Sequence, residues 1–299
     1  MRSRLELQRR DLTLLRDLFV SRVMTLRHIA ALHFDGHVEA AKKRVGRLKE
    51  AGYLRTRVRR WREPAIYVLA VQGWSALEAR GCLTGYPRLS IKTMSGRSEV
   101  SDLTLRHELE VMDVKATLVV ALRQDEQYRL GPFVTWPRIC EFDACDPKGQ
   151  TVRVKPDGYL EIEHRNDSGK RGRWRFFLEL DRSTETLQLL TNRCFLYLDH
   201  YRSGGFAVGR GGVREEYKKF PFRVLIICKS AERRDHLAER LHLNRETTGS
   251  QIWLAKLSDL LFCALGAIWR LPKNKMARGD STLSQRILLP EGPRTHLRN

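Results

Sequence analysis

The stretch from Arg153 to Tyr201 constrains the fold more than any other part of this chain. The run Trp174-Arg175-Phe176-Phe177-Leu178-Glu179-Leu180-Asp181 alternates, and side chains along a strand point to opposite faces with a period of two. Trp174, Phe176, Leu178 and Leu180 share one face, expected to be core. Arg175, Phe177, Glu179 and Asp181 share the other. In the preceding extended run Val152, Val154 and Pro156 face one way, and Lys155 and Asp157 the other. If the two runs pair as a hairpin spanning Arg153 to Asp181, carboxylates from both gather on one face with a basic group nearby. Clustered carboxylates cost free energy unless a cation neutralises them. A polar loop, Glu163 to Gly172, divides the strands. Ser183 or Thr184 can cap a following helix that carries Leu187, Leu190, Cys194, Leu198 and Tyr201 toward the core, with Tyr197 beside them.

A second pattern lies near the amino end. Leu12, Leu14, Leu15, Leu18 and Phe19 have the spacing of an amphipathic helix, with Asp11 as its N-cap. Thr25 can cap a short helix through Ile29 and Leu32, and Phe34-Asp-Gly-His37 breaks the pattern. A third helix is expected from Glu39 to Ala51, ended by Gly52. On it Ala41, Val45 and Leu48 form the core side, Lys43, Gly46, Arg47 and Glu50 lie opposite, and Lys42, Arg44 and Lys49 flank the seam. Next, Arg55, Arg57 and Arg59 alternate with Leu54, Thr56 and Val58. The run Arg60-Trp61-Arg62-Glu63-Pro64 reads as a turn, and Ala65 to Leu69 as a return strand. Three short helices followed by a basic hairpin predict a winged helix-turn-helix. Such a unit reads the major groove with its third helix and touches phosphates with its wing. The expected DNA contacts are Lys42, Lys43, Arg44, Arg47, Arg55, Arg57, Arg59, Arg60 and Arg62. Trp61 suits either stacking on a base or packing at the hinge.

Charge supports the same reading. The 299 residues carry 55 Lys and Arg against 35 Asp and Glu, a net charge of +20. Met1 to Ala70 contains 17 basic and 7 acidic residues, so half of the surplus sits in less than a quarter of the chain. Such a surplus favours a polyanionic partner, most often nucleic acid. The six cysteines are scattered without a C-x-x-C pair. Cys140 and Cys145 have a permissible zinc spacing, but no second pair follows, and free buried thiols in a reducing cytosol are expected. The first residues lack an apolar stretch, and the longest apolar run, Leu260 to Trp269, is too short to span a bilayer. A cytoplasmic protein without a membrane partner is expected.

The remaining punctuation suggests four parts: a DNA-binding domain over 1–81, a glycine-, serine- and proline-bearing linker over 82–98, a second domain over 99–271, and a basic tail over 272–299. In the second domain Glu99 to Arg123 reads as a long helix, Phe133 to Glu141 as an edge strand because of Pro137, and Asp143 to Gly149 as a turn. Ser203 to Gly212 reads as a mobile glycine-rich loop, Phe222 to Cys228 as a buried strand, Ser230 to Leu241 as a helix, Ile252 to Ala255 as a last strand, and Leu257 to Leu271 as a buried helix.

Pro156-Asp157 at the end of one strand, with Glu179 on the next and a helix after it, resembles the restriction-endonuclease-like core of the PD-(D/E)XK superfamily. With the amino-terminal pattern, the order of parts over roughly Asp11 to Arg240 resembles the replication-relaxation family. That family joins a winged helix-turn-helix to such a core in plasmids and mobile elements. The resemblance implies an α+β fold with an αβββαβ core. It also implies a Mg2+ or Mn2+ site at Asp157 and Glu179, joined by Glu108 from the long helix, and it draws attention to His107 and Asp113. The superfamily's lysine position is taken here by Asp181. Three outcomes stay open. Lys155 replaces the missing base, or the core has lost cleavage and only binds, or Glu179 and Asp181 are structural partners of Arg175 and Arg182. The expected functions are correspondingly three: a DNA-binding protein of plasmid or mobile-element replication, relaxation or transfer with a silent core; an active Mg2+-dependent endonuclease; or a transcription regulator without catalysis. Expected partners are double-stranded DNA, a relaxase or replication protein, and a second copy of the chain as a homodimer.

Overall fold

The computed structural model describes residues 5–58, 63–165, 171–243, 251–272 and 285–286. The fold is mixed α/β, and the chain divides into two compact units, Met1–Ala116 and Thr117–Asn299. The division falls within a long helix rather than at the 82–98 stretch. Among the described residues no helix is long and apolar enough to cross a membrane.

The amino-terminal unit begins with α1 (Arg9–Ser21), which buries Leu14, Leu15, Leu18 and Phe19. Its N-cap is Gln8, and Asp11, expected as the cap, sits three residues inside and accepts from the Gln8 amide at 2.7 Å. The other Asp11 oxygen accepts from Arg44 Nε at 2.8 Å, and Asp11 is fully buried. Strand β1 (Met24–Thr25) leads into α2 (Leu26–His33), whose first turn is capped by Thr25 as its position predicts. His28 answers by accepting from the Thr25 amide through Nδ1, at 3.2 Å. Accepting the Thr25 N–H requires a lone pair on Nδ1, so the ring proton is on Nε2, which donates to Asp113 at 2.7 Å. Helix α3 (Val38–Glu50) buries Ala41, Val45 and Leu48, and ends at a turn where Gly52 has φ +79°. Strands β2 (Leu54–Thr56) and β3 (Ile66–Leu69) complete an antiparallel sheet of order β1-β3-β2. Helix α4 (Val71–Ala79) follows. The stretch expected as a linker contains α5 (Ile91–Arg97), with Met94 buried and Arg97 donating to the Phe19 carbonyl at 2.9 Å. The apolar positions of Val100, Leu105 and Leu109 pack with Ile66 and Val68, which brings the start of α6 (Asp102–Arg123) into this unit.

The carboxyl-terminal unit is built on a sheet. Strand β4 (Tyr128–Val134) lies earlier than expected, because Pro137 opens a helical turn, α7 (Pro137–Cys140), instead of sitting in a strand. Strands β5 (Phe142–Cys145) and β6 (Thr151–Val154) form a separate two-stranded sheet. The expected hairpin holds from Gly158 onward, where β7 (Gly158–Arg165) pairs with β8 (Arg171–Asp181), and is corrected before it, where the Val152–Val154 run pairs with β5 instead. Its register sets Tyr159 opposite Phe177 and Glu161 opposite Arg175. Helix α8 (Leu187–Arg202) is capped by Thr186 rather than Ser183 or Thr184. The glycine-rich segment is ordered into α9 (Gly205–Gly209) and a 3-10 turn, Arg214–Lys219. Strand β9 (Arg223–Cys228), helix α10 (Ala231–Leu243) and strand β10 (Ile252–Lys256) follow. Strand β9 runs parallel to both β8 and β10. The expected buried helix over 257–271 is α11 (Leu257–Phe262) and then strand β11 (Trp269–Arg270), with Phe262 93% exposed. A short strand, β12 (Gln285–Arg286), gives the sheet order β12-β11-β10-β9-β8-β7-β4. Most of the basic tail lies outside the described residues. The expectation of buried thiols is not met by Cys145 and Cys263, which are both exposed.

Both faces of the central sheet are buried. Leu160, Ile162, Phe176, Leu178, Leu225 and Ile227 form one face, while Tyr159, Phe177, Val224, Ile226 and Leu254 share a core with α8 and α10. Two-sided burial explains the near-continuous apolar runs of β8 to β10. It also forces any charge on those strands into low dielectric.

Arg44 is the cation that makes the buried Asp11 tolerable, and breaking a buried pair from one side is strongly destabilising. Arg44→Ala is expected to lower unfolding stability by about 3 kcal/mol or more. Arg47→Ala, on the exposed side of the same helix, should stay within about 0.5 kcal/mol of the parent. Urea denaturation of both variants checks this, and equal stabilities would contradict it.

Candidate functional site

Asp157 stands directly before β7, and its amide donates to the Leu178 carbonyl at 3.0 Å. Its carboxylate accepts from the Leu180 amide at 2.8 Å. These bonds extend the β7–β8 ladder and bring Asp157 next to Glu179. Glu179 is only 2% exposed. One of its oxygens accepts from the Tyr197 hydroxyl at 2.5 Å and the other from Arg193 at 3.0 Å. Arg193 also reaches Glu185 at 3.0 Å. Arg193 and Tyr197 are four residues apart, so one face of α8 presents both to the same carboxylate.

The electrostatics follow from this packing. Burial first, and then the neighbouring charge of Asp157, push Glu179 up to about 7, while Arg193 and Tyr197 pull against them. Burial opposes the Arg193 charge, but Glu179 and Glu185 outweigh it and hold the guanidinium firmly protonated. The Tyr197 hydroxyl is raised by burial and then by Glu179, so it remains a donor. The Cys140 thiol is pushed up to about 12 by burial, then by Glu179 and Asp157, and is not a nucleophile at neutral pH.

The other expected site residues are placed elsewhere. Asp181 is 7% exposed and accepts from Arg233 at 2.7 and 3.3 Å and from the Ser183 amide at 3.0 Å. It ties the end of β8 to α10, and its cation is Arg233 rather than Arg182. Lys155 is exposed, and the cation that meets Glu179 is Arg193 rather than Lys155 or Arg175. Glu108 belongs to the amino-terminal unit, where it pairs with Arg22 at 2.8 Å. Asp113 is the partner of His28, as described above. Among the described residues, no three His, Cys, Asp or Glu side chains form a group that could hold a metal ion.

Sequence reasoning missed Glu161. It is 3% exposed and accepts from the Tyr159 hydroxyl at 2.6 Å, with Arg210 at 3.1 Å and Arg173 at 3.3 Å. Asp157, Tyr159 and Glu161 alternate onto one side, so the period of two carried the signal. Arg193 was missed as well, and the four-residue step to Tyr197 was its signal.

On the amino-terminal unit, the expected nucleic-acid face divides into two groups. Lys43, Arg47 and Arg55 are exposed, and Lys42 is exposed beside Glu39 at 3.7 Å. Gly46 leaves open space around it, since a Cβ there would meet no atom within 4 Å. Arg44 is held by Asp11, and Arg57 donates to the Val100 carbonyl at 3.2 Å and pairs with Asp102. Arg59, Arg60, Trp61 and Arg62 lie outside the described residues.

Residues 13–215 match the family model for replication-relaxation, well over half of the chain. The protein is a member of the replication-relaxation family, which points to a role in the replication or relaxation of mobile elements. No curated protein and no solved structure matches the chain.

The raised Glu179 gives a signed pH dependence. Its folded form holds a proton that the unfolded chain has lost, between the ordinary value of 4.5 and about 7. Stability therefore falls as pH rises through that window. Glu179→Gln keeps a polar group without titrating. Urea midpoints measured across the window should fall for the parent and lie flatter for the variant, and parallel curves would contradict the assignment.

Proposed function

We propose that the protein binds double-stranded DNA through its amino-terminal unit and that its carboxyl-terminal unit is a nuclease-like core that does not cut. The first half of the reading rests on order and charge. Helices α1, α2 and α3 with the β1-β3-β2 sheet follow the order of a winged helix-turn-helix. Its third helix presents Lys43 and Arg47 around an unobstructed Gly46. A small residue between two cations lets a backbone approach a groove wall, and Arg55 on β2 suits a phosphate.

The second half rests on one observation: both oxygens of Glu179 are engaged, by Arg193 and by Tyr197. The order α6, β4-β7-β8, α8, β9, with β9 parallel to β8, resembles a restriction-endonuclease-like core. Mg2+ and Mn2+ need several hard oxygen ligands in an open, charged arrangement. Here one carboxylate is buried against a guanidinium and a phenol, and burial first, then the neighbouring charge of Asp157, drives it toward protonation. In our reading these residues do not fit a divalent ion. Arg193 supplies internally the positive charge that a metal would bring. The protein then acts as an accessory DNA-binding protein in plasmid or mobile-element replication, relaxation or transfer, beside a relaxase or replication protein that does the cutting.

Two experiments test the halves separately. Supercoiled plasmid incubated with the full chain and Mg2+ or Mn2+ should stay supercoiled. Nicking that Asp157→Ala or Glu179→Ala abolishes would overturn the silent core. For binding, Arg55→Ala should lower the slope of log affinity against log salt by about 0.9, the loss of one phosphate contact. A slope identical to that of the parent would remove Arg55 from the interface.

A further inference from the structure

Beside the carboxylate pair, two residues along each strand, Tyr159 and Phe177 line a cavity of about 350 Å3. Asp157 and Tyr159 share one side of the sheet, as do Phe177 and Glu179, because alternate residues of a strand point the same way. Cys140 lines the cavity as well. Phe142, Tyr159, Phe177, His200 and Phe206 make much of its wall aromatic. Phe142 and His200 stack with ring centroids 3.9 Å apart and 16° between planes, and Tyr159 and Phe177 lie 5.2 Å apart. The guanidinium of Arg210 sits 4.7 Å over the Tyr159 ring and is held there by Glu161. Glycines form part of the wall. A Cβ at Gly205 would fall 2.6 Å from His200 Nδ1, so only glycine lets α9 close against that ring. Gly209 also lines the cavity, with open space at its own Cβ position.

We propose that this cavity takes one unstacked base of a nucleic-acid strand. Its volume lies at the small end of ligand pockets, enough for one planar ring system. Aromatic sides suit the π-face of any base, and such stacking tolerates sequence. His200 and Glu141 offer hydrogen-bonding groups to the edge of the ring. A free nucleotide suits the cavity less well. Among the described residues Arg210 is the one lining Lys or Arg, and it is matched to Glu161, while Glu141 adds a carboxylate that Arg153 matches at 3.2 Å, so these residues offer a terminal phosphate little counter-charge. The inference rests on the DNA-binding reading above and adds that the core unit holds a strand by a base as well as by its backbone.

The test compares two single strands of equal length and charge, oligo-dT and an abasic oligomer, with the full chain in fluorescence anisotropy. The parent should bind oligo-dT roughly tenfold more tightly, the gain from stacking one base on aromatic side chains. Gly209→Trp fills the mouth from an exposed position and should abolish the difference without changing affinity for the abasic strand. Val208→Trp, at the exposed neighbouring position that does not line the cavity, should keep it. Equal binding of both strands by the parent overturns the pocket while leaving backbone binding standing. A preference that survives Gly209→Trp also overturns it. Binding to neither strand nor duplex removes the DNA-binding reading and this inference with it.

Discussion

The structure of the carboxyl-terminal unit depends on how it accommodates Glu179. A carboxylate under a two-sided sheet cannot keep its hydration, and an uncompensated charge there would cost several kcal/mol. Asp157 makes the position worse by adding negative charge nearby. Arg193 and Tyr197 make it tolerable, and both come from one face of α8. The carboxylate thus fixes where α8 lies on the strands. The position of α8 in turn sets the aromatic cluster of Tyr197, Phe142 and Phe177.

The same solution recurs across the chain. Asp11 meets Arg44, Asp17 meets Lys115, Glu161 meets Arg210, and Asp181 meets Arg233. For Asp17, burial would raise the carboxyl, but Lys115 and His33 more than offset it and hold it well below the ordinary range. Each pair joins residues well apart in sequence and fastens two elements within one unit. Part of the basic surplus therefore holds the fold together. The exposed remainder, with Lys43, Arg47 and Arg55 among it, is what a polyanion can reach.

Much of the fold was legible because local rules decided it. Leu14, Leu15, Leu18 and Phe19 specify α1 by spacing, Thr25 caps α2, and the alternation from Trp174 to Asp181 gives β8. Long-range pairing was less legible. Nothing local distinguishes β6 pairing with β5 from β6 pairing with β8, and the choice between them moved the hairpin to Gly158. At the site, Asp157 and Glu179 were readable from alternation, and the Leu180 amide beside Glu179 donates to Asp157. Their counter-charge was not readable, because Arg193 and Arg233 are contributed by helices whose packing the strand pattern does not specify. The division within α6 was equally hidden, since its apolar positions continue without a break.

The contact of Arg193 with Glu179 is the one on which the proposed silent core depends. Anomalous scattering from crystals of the full chain soaked in Mn2+ tests it directly. The expected result is Arg193 seated on Glu179 and no manganese peak between Glu179 and Asp157. A peak liganded by both carboxylates, with Arg193 displaced, would contradict it.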